Sequence, residues 1–562
     1  MTQVTLAAPP VPAAQPAADR LRWLTLALVL GGTFMAVFDN FVVNVAIPTI
    51  QRDLGASFAQ VQFVIAGYAL AYAVTLVTGG RLGDIYGRKR LFLLGLAGFT
   101  AASALCGLAP GPGVLVGARL LQGLAAAALT PQVLSIIQVT FPPQERARAF
   151  GAFGAVAGLA AAAGQGLGGL LVHADVLGLS WRAAFLVNVP VGVAILLAAR
   201  ALLAESRSAT ATGLDPVGVA LLTAALFLLA FPLVAGREAG WPWWSWACLA
   251  AAAPAFVAFV AFERARTARG DTPLVVLRLF RARAFVAGLL VRLLSTAATA
   301  GFFLGLALYL QLGLRYSPLE AGLVFLPAAV GFTLAATLVA RLDARLGSRL
   351  VLAGLALSAA TFAAVVLVVR ASPEALPRLG FAALVFGQAF GAGTTGPRLT
   401  GVVLAGIARD DAGAASGVLV TAQQIGGALG VALIGVALFG ALAGGAPAVS
   451  GALAPDLAGQ LAGTSVGGEA AATVAGFRAC ADDRARSNEP GDIPGSCREL
   501  AAGAADPASA SVVAAFLQRA NARNYANAFA VGMLAATGLL LAAVACALAL
   551  PRPPRPPRAG PS

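Results

Sequence analysis

The sequence predicts an all-α membrane protein, and three observations support this fold class. Hydrophobic residues make up 59% of the 562 residues and charged residues only 11%, whereas soluble domains carry roughly 25% charged residues. Apolar runs long enough for helical spans, which need about 20 residues each, recur along the chain. These runs lack the apolar–polar alternation of a barrel strand. The chain therefore has too little polar surface for a soluble protein, and its apolar runs favour membrane-spanning helices.

We expect about fourteen spans of this kind. They lie near residues 23–48, 60–79, 91–109, 113–140, 149–172, 183–204, 216–236, 243–263, 285–311, 319–340, 350–370, 379–406, 412–442 and 525–550. The expected domains are a cytoplasmic tail (1–22), an N-terminal six-helix half (23–204), a linker with two extra helices (205–263), a C-terminal six-helix half (264–550) and a Pro/Arg-rich cytoplasmic tail (551–562). The C-terminal half includes a long extracytoplasmic loop at 443–524.

Basic residues set the expected orientation. Arg20 and Arg22 precede the first span, and Arg552, Arg555 and Arg558 follow the last. Basic residues of the short connections collect on the same side, and Lys and Arg favour the cytoplasmic face. We therefore expect a multi-pass protein of the inner (plasma) membrane with both ends in the cytoplasm. The net charge of +14 does not indicate a nucleic-acid partner, because the arginines fall in short clusters between apolar runs.

An internal repeat is visible at two cytoplasmic turns. Residues 80–88 read GRLGDIYGR and follow the second span, and residues 340–349 read ARLDARLGSR and follow the tenth. If the two extra helices are an insertion, these turns occupy equivalent places in two halves. Parallel repeats about an axis normal to the membrane predict a central cavity between the halves and a rocking type of alternating access.

The first of these turns, Gly80 to Lys89, resembles the signature loop of the major facilitator superfamily, Gly-x-Leu-Ala-Asp-Arg-x-Gly-Arg-Lys. Ile85 stands where that family usually has arginine. The resemblance implies that the loop is a conformational latch, in which Asp84 accepts from the start of a neighbouring helix and the basic residues hold the cytoplasmic face. The latch residues are then Gly80, Asp84, Gly87, Arg88 and Lys89.

Three further stretches resemble the fourteen-span drug:proton antiporter branch of this superfamily. Residues 38–48 (FDNFVVNVAIP), 119–123 (RLLQG) and 181–192 (WRAAFLVNVPVG) resemble the motifs of its first, fourth and sixth helices. The resemblance covers residues from about 23 to about 440 together with the last span. It implies two six-helix halves plus two inserted helices, and proton-coupled export of lipophilic small molecules.

The fifth span carries the weakest match to this branch. Its exporters tend to have Gly-Pro-x-x-Gly-Gly there, and residues 164–169 read GQGLGG. Gly164, Gly168 and Gly169 keep the glycine positions, so we expect close helix packing and a hinge at this site. Gln165 replaces the proline, which weakens the expected kink.

Asp39 is the one acidic residue well inside an apolar run, and Arg119 lies at a comparable depth in the fourth span. An ionisable residue inside the membrane is a functional candidate by default. Burial favours the neutral form of a carboxyl group, and a nearby arginine favours its ionised form. We therefore expect Asp39 and Arg119 to carry proton coupling, although a purely structural carboxylate–arginine pair remains an alternative.

The other polar groups in the spans are mostly uncharged, which suits a lipophilic and weakly polar ligand. Some of them would only bridge helices, and Arg292 could either line a cavity or snorkel to the cytoplasmic face. The candidate substrate-cavity residues are Asn40, Asn44, Gln122, Asn188, Arg292 and Gln311.

Cys480 and Cys497 are the cysteines outside the spans, and both fall in the loop at 443–524. The expected topology places that loop in an oxidising compartment, where disulfides persist. We therefore predict a disulfide between them. Cys106, Cys248 and Cys546 lie within spans and are expected to be small core residues.

The chain shows no phosphate-binding Gly-x-x-x-x-Gly-Lys-Ser/Thr loop, no metal-spaced His/Cys cluster and no nucleophile elbow. We expect no enzyme activity, no cofactor, no metal and no nucleotide partner, so that an ion gradient drives transport. The preferred function is a proton-coupled antiporter whose partners are a lipophilic substrate, protons and the lipid bilayer. The alternatives are a proton-coupled importer or facilitator of a small metabolite, and a non-transporting membrane sensor or scaffold.

Overall fold

The structure is a computed structural model, and it describes residues 16–550 except 57, 176–177, 209–212, 214, 237–238, 272, 406, 409–410, 463–469, 487–492 and 504–506. All regular secondary structure within these residues is helical. The predicted all-α class is therefore confirmed.

The first group of helices, the N-terminal bundle, runs from α1 to α7. Its members are α1 (Pro16–Leu54), α2 (Phe58–Tyr86), α3 (Arg88–Gly107), α4 (Pro112–Thr140), α5 (Pro143–His173), α6 (Arg182–Leu186) and α7 (Asn188–Leu202). Proline occupies the first positions of α4 and α5, where its missing N–H costs nothing. Helix α4 packs on α2 and α3, and α5 packs on α1.

A helical hairpin, α8 (Pro216–Ala235) and α9 (Trp243–Ala268), follows the N-terminal bundle and packs on α2. Two buried carboxyl groups hold its base. Asp215 caps α8 by accepting from the Gly218 amide at 3.0 Å, and its other oxygen lies 3.3 Å from Nε of Arg266. Glu263 accepts from the Val275 amide at 3.0 Å. These contacts fix the hairpin to the connection that leads into the next group of helices.

The C-terminal bundle comprises five consecutive long helices and the last helix of the chain. They are α10 (Arg283–Leu308), which continues into a π-helical turn (Tyr309–Gly313), α11 (Pro318–Leu346), α12 (Arg349–Ala371), α13 (Arg378–Ala405), α14 (Ala412–Leu461) and α17 (Pro507–Ala547). Between α14 and α17 lie the shorter α15 (Ala470–Arg486) and α16 (Gly495–Gly503).

Helices lie at every predicted span, and α6 with α7 together fill the sixth. In the described part of the chain, 12 helices are long and apolar enough to cross a membrane. The predicted spans at 149–172 and 379–406 coincide with α5 and α13, whose assignment as spans stays a prediction. The structure thus fits the fold class, and the orientation of the ends stays a prediction as well.

The connection at 443–524 is more ordered than the word loop implies. Helix α14 continues to Leu461 and α17 begins at Pro507, so both helices run well past the predicted spans. At 1.5 Å per residue, the 50 residues of α14 span about 75 Å. The extensions pack with α15 and α16 around a separate apolar core that includes Leu453, Leu457, Phe477, Leu500 and Phe516. We call this small unit the helical cap.

The two bundles meet through α2, α4 and α5 of the first and α11, α13 and α14 of the second. Helix α2 packs on α14, and α5 packs on α11 and α13. Asp84, near the end of α2, lies beside the start of α14, whereas the helical cap lies beyond the other end of α14. We refer to these two ends of the molecule as the Asp84 end and the cap end.

Candidate functional site

Asp39 and Arg119 form an ion pair inside the N-terminal bundle. The Asp39 carboxylate on α1 accepts from Nη1 of Arg119 on α4, and neither side chain is exposed. A charged pair buried in this way requires further hydrogen bonds to offset the loss of hydration. The sequence placed both residues at a comparable depth, and the structure brings them into direct contact.

Two amide side chains complete the Asp39 site. Nε2 of Gln122 and Nδ2 of Asn188 donate to the same carboxylate oxygen at 2.9 and 3.1 Å. Gln122 also accepts from Arg119 at 2.7 Å, and Asn188 also donates to the Ser103 hydroxyl at 3.1 Å. Both amides are buried, so they hold the ion pair together. Their predicted contact with substrate stays a prediction.

Arg119 has two further partners that sequence reasoning missed. Its Nε donates to the Val64 carbonyl at 2.9 Å, and its guanidinium lies 4.4 Å from the centre of the Tyr68 ring. Both partners belong to α2. Tyr68 gave a weak signal as a polar side chain within an apolar run, but a backbone carbonyl gives none. The site therefore joins α1, α2, α4 and α7 around one carboxylate.

Glycines of α5 bring this helix onto the turn of α1 that carries Asp39. A Cβ on Gly164 would lie 2.7 Å from the Phe38 carbonyl oxygen, and a Cβ on Gly168 would lie 2.6 Å from Cγ2 of Val42. The predicted close packing therefore exists at these two positions. Gly169 also belongs to α5, but its surroundings lie outside the described part of the chain.

An apolar cavity of about 210 Å³ lies next to the Asp39 site, between α1, α5 and α7. Phe34, Phe38 and Leu171 contribute to its walls, and among the described residues Asn188 is the one polar side chain that lines it. Leu167, which also lines the cavity, is 50% exposed. The cavity therefore opens to the surface of the bundle. Its inner end is Asn188, which donates a hydrogen bond to Asp39.

Of the remaining predicted cavity residues, Gln311 and Arg292 lie away from this site. Asn40 is half-buried on α1, and the side chain of Asn44 lies outside the described residues. Gln311 is exposed in the π-helical turn at the cap end. Arg292 lies in the C-terminal bundle, where its Nη2 donates to the Gly396 carbonyl at 2.9 Å and to the Thr400 hydroxyl.

The loop at the Asp84 end joins the two bundles. The Asp84 carboxylate is buried, pairs with Arg88 at 2.7 Å and accepts from the Gly413 and Ala414 amides at 3.2 and 3.0 Å. These amides belong to the first turn of α14, where unpaired N–H groups and the helix dipole favour an anion. Gly80 lies so close to α14 that a Cβ would overlap the Gly413 carbonyl.

The end of this loop is fixed within the N-terminal bundle. Gly87 has a φ of 109°, which a side chain would disfavour, and a Cβ there would lie 2.5 Å from the Glu205 carboxylate. That carboxylate accepts from the Lys89 and Arg90 amides at 3.0 and 3.2 Å. Nζ of Lys89 donates to the Arg200 carbonyl at 2.9 Å. All five predicted latch residues therefore lie in one connected network.

Two hydrogen bonds from α4 add to the contact between the bundles. Nε2 of Gln138 donates to the Leu404 carbonyl at 2.7 Å, and the Ser135 hydroxyl donates to Ser416 at 3.4 Å. Both contacts lie toward the Asp84 end, because Leu404 is near the end of α13 and Ser416 is near the start of α14. The molecule is therefore closed at this end.

A family model described as Major Facilitator Superfamily matches residues 29–215 and 215–431. The chain belongs to this superfamily. A probable actinorhodin transporter of Streptomyces coelicolor is 40% identical to it over 97% of this chain and 94% of the relative. A puromycin resistance protein of Streptomyces alboniger is 38% identical over 76% of this chain and 83% of the relative.

The human organic anion transporter MFSD10 shares the fold. Its crystal structure matches 75% of this chain and 93% of its own length with a TM-score of 0.53 and 18% identity. As a member of the Major Facilitator Superfamily with this many apolar helices, the protein is a multi-pass transporter of the plasma membrane.

The helical cap lies at the end of this superfamily member opposite to Asp84. Cys480 of α15 and Cys497 of α16 are joined by a disulfide there. Cys480 is buried in the apolar core of the cap, and Cys497 packs against that core. The cap is tied to the C-terminal bundle by Glu374, whose carboxylate accepts from Arg519 at 3.2 Å and from Arg523 at 2.6 Å.

Proposed function

We propose that the protein is a proton-coupled antiporter that exports lipophilic small molecules across the plasma membrane. The observation that carries the proposal is the Asp39–Arg119 pair, an ionisable pair buried among the helices. A carboxylate in this position is costly, and ionisable residues kept within a membrane are functional candidates for that reason. The closely similar relatives support export, because their names describe an actinorhodin transporter and a puromycin resistance protein.

The proton would act on the bonds that Asp39 makes. Burial favours the protonated form of this carboxyl group, and Arg119 favours the ionised form. Arg119 and Gln122 of α4 and Asn188 of α7 all donate to the Asp39 carboxylate. Protonation of Asp39 from outside would weaken these three hydrogen bonds together. Release of the proton on the cytoplasmic side would restore the pair. The proton would therefore change how α1, α4 and α7 are held together.

The orientation belongs to the proposal. With both chain ends in the cytoplasm, the Asp84 end faces the cytoplasm and the helical cap faces outward. The closed Asp84 end then corresponds to a conformer in which access is from outside. The membrane potential supplies about 2.3 kcal/mol per charge per 100 mV, which can drive accumulation against a gradient of tens-fold.

The lipophilic substrate class has its own support. The cavity beside Asn188 is apolar apart from that one side chain, and apolar pockets with few polar groups suit lipophilic ligands. Proton-coupled import of a metabolite would use the same fold, but the substrate and the proton would move inward together. A sensor or scaffold without transport has no need for a buried ion pair.

The test uses inside-out vesicles and an imposed pH gradient, with a panel of lipophilic antibiotics. Acidifying the vesicle lumen should drive uptake by the wild-type protein, whereas a proton-coupled importer would release its substrate under this gradient. Asp39→Asn should abolish uphill uptake. Asp456→Asn, which removes an exposed carboxylate from the cap, should leave uptake unchanged. Full gradient-driven uptake by a well-expressed Asp39→Asn variant would overturn the proposal.

A further inference from the structure

Arg292 is a half-buried cation whose charge has no acidic partner among the described residues. No described carboxylate lies within 4.0 Å of its guanidinium, and its partners are the uncharged Gly396 carbonyl and Thr400 hydroxyl. Its Nε is buried and makes no hydrogen bond in the part of the chain that the structure describes. Buried charges in proteins are normally paired, and those within membrane helices mark substrate and ion pathways.

Buried arginines that the structure describes have carboxylates nearby, and the charge of Arg81 is stabilised by Asp84, Asp411 and Glu263 although no described carboxylate lies within 4.0 Å of it. Arg119 pairs with Asp39, and Arg88 pairs with Asp84. Arg292 differs from them although it lies in a long apolar helix. The contrast indicates that the described residues do not supply the compensating charge.

The side chain of Arg292 reaches across to α13 and does not run along its own helix to the end. A Cβ on Gly396 would lie in ordinary van der Waals contact with Nη1 of Arg292, at 3.5 Å, so the guanidinium lies against this turn of α13. Residue 292 is nine positions from the start of α10, which corresponds to about 14 Å at 1.5 Å per residue. Binding to α13 at this depth favours a place in the transport pathway over snorkelling.

The turn of α13 that accepts hydrogen bonds from Arg292 also takes part in the contact between the two bundles. Pro397, next to Gly396, packs on α5 so closely that a Cβ on Gly154 would overlap its ring. Phe150 of α5 lies beside Gly401 in the following turn of α13. A ligand held by Arg292 would therefore contact the turn of α13 that moves against α5 when the bundles rock.

A polar strip continues from Arg292 along the same faces of α10 and α13. Nε2 of Gln388 lies 3.4 Å from the Thr299 hydroxyl, and its Oε1 is buried without a described hydrogen-bond partner. Ser295 lies between Arg292 and Thr299 on α10. The strip thus offers one cation and several neutral groups. In the opposite bundle, Asp39 and Arg119 neutralise each other.

We propose that Arg292 binds an acidic group of the substrate, a carboxylate or an ionised phenol, and that the exported compounds are lipophilic organic acids. This inference rests on the proposed export function and names its substrate class. Arginine suits the role because its planar guanidinium stays charged when buried and can hold both oxygens of a carboxylate. The acidic group would supply the charge that Arg292 lacks and bridge α10 to α13 at the contact with α5.

The test measures equilibrium binding to the full-length protein in nanodiscs without any gradient. The probes are a panel of aromatic carboxylates, 1-pyrenebutyrate among them, each paired with its uncharged methyl ester. Wild-type protein should bind carboxylates at least about tenfold more tightly than the esters, the size expected of a charge-assisted hydrogen bond. Arg292→Gln should remove the preference, and Arg370→Gln, which removes an exposed arginine at the end of α12, should keep it.

Arg292→Lys keeps the proposal testable if the glutamine variant fails to fold. It keeps the charge but loses the planar fork, so carboxylates should bind several-fold more weakly than to wild type. Absence of any carboxylate preference in the wild type, an unchanged preference in Arg292→Gln or unchanged affinity in Arg292→Lys would overturn the inference. Loss of uphill export in Asp39→Asn together with equal binding of acids and esters would leave the export function standing and refute Arg292 alone.

Discussion

The Asp84 carboxylate and the Ala414 amide lie 330 residues apart in the chain and form a hydrogen bond of 3.0 Å across the two bundles. The carboxylate also accepts from Gly413, and Arg88 supports it from its own bundle. One side chain therefore joins the end of α2 to the start of α14 while the molecule is closed at this end. An acceptor of this kind stabilises one conformer selectively, because the contact is lost when the bundles separate.

Asp84→Asn should open the Asp84 end. The variant loses the negative charge that the first turn of α14 favours, and its NH₂ group would face a backbone N–H. A differential contact of even about 1.4 kcal/mol changes the ratio of the two conformers tenfold. Transport should fall while the protein still inserts. Accessibility of single cysteines placed at each end measures the shift, and unchanged accessibility at both ends would contradict this role.

Arg119→Ala should uncouple transport from protons. Without the guanidinium, Asp39 is a buried carboxyl group whose neutral form is favoured in both conformers. Removal of one partner of a buried pair also lowers the free energy of unfolding by about 3–5 kcal/mol. We expect lower thermal stability and loss of substrate-induced proton movement, measured with a pH-sensitive dye in proteoliposomes. Arg498→Ala, at an exposed position of the cap, is the control. Normal proton movement in the Arg119 variant would exclude the pair from coupling.

Gly164→Ala should weaken the packing of α5 on α1. The added methyl group would lie 2.7 Å from the Phe38 carbonyl oxygen, and such overpacking costs about 1–3 kcal/mol. The thermal unfolding midpoint in detergent should fall. Gly427→Ala is a matched control on α14, because a Cβ there meets no atom within 4 Å. Equal midpoints for the two variants would mean that α5 shifts away without cost.

Cys480→Ser should destabilise the helical cap and leave the membrane part intact. Closing a loop of this length by a disulfide contributes about 3 kcal/mol, and Cys480 is buried in the cap core. Limited proteolysis should cut between α14 and α17 faster than in the wild type. Cys248→Ser, at a half-buried position of α9, should not change the cleavage rate. Labelling of Cys480 and Cys497 as free thiols on intact cells would rule out the bond.

Much of the architecture follows from the sequence because the bilayer imposes a simple rule. A chain segment in hydrocarbon must satisfy its own backbone hydrogen bonds, so each long apolar run becomes a helix. The same logic singled out Asp39 and Arg119, since a charge in an apolar run is conspicuous. The loop at Gly80–Lys89 was recognisable because its turn and its acidic residue follow one another in the chain.

Tertiary structure decided the contacts that depend on how each helix is rotated and which helix lies beside it. Helix rotation turns Gln122 and Asn188 toward Asp39, whereas their contact with substrate stays a prediction. The hydrogen bond between Asp84 and Ala414 joins residues that are remote in sequence. Whether Arg292 has an acidic partner likewise depends on which helices lie beside α10. The cap helices were missed because a helix outside the membrane needs no apolar run. The composition of a segment indicates whether lipid or water surrounds it. The direction in which each side chain points is fixed only when the helices pack.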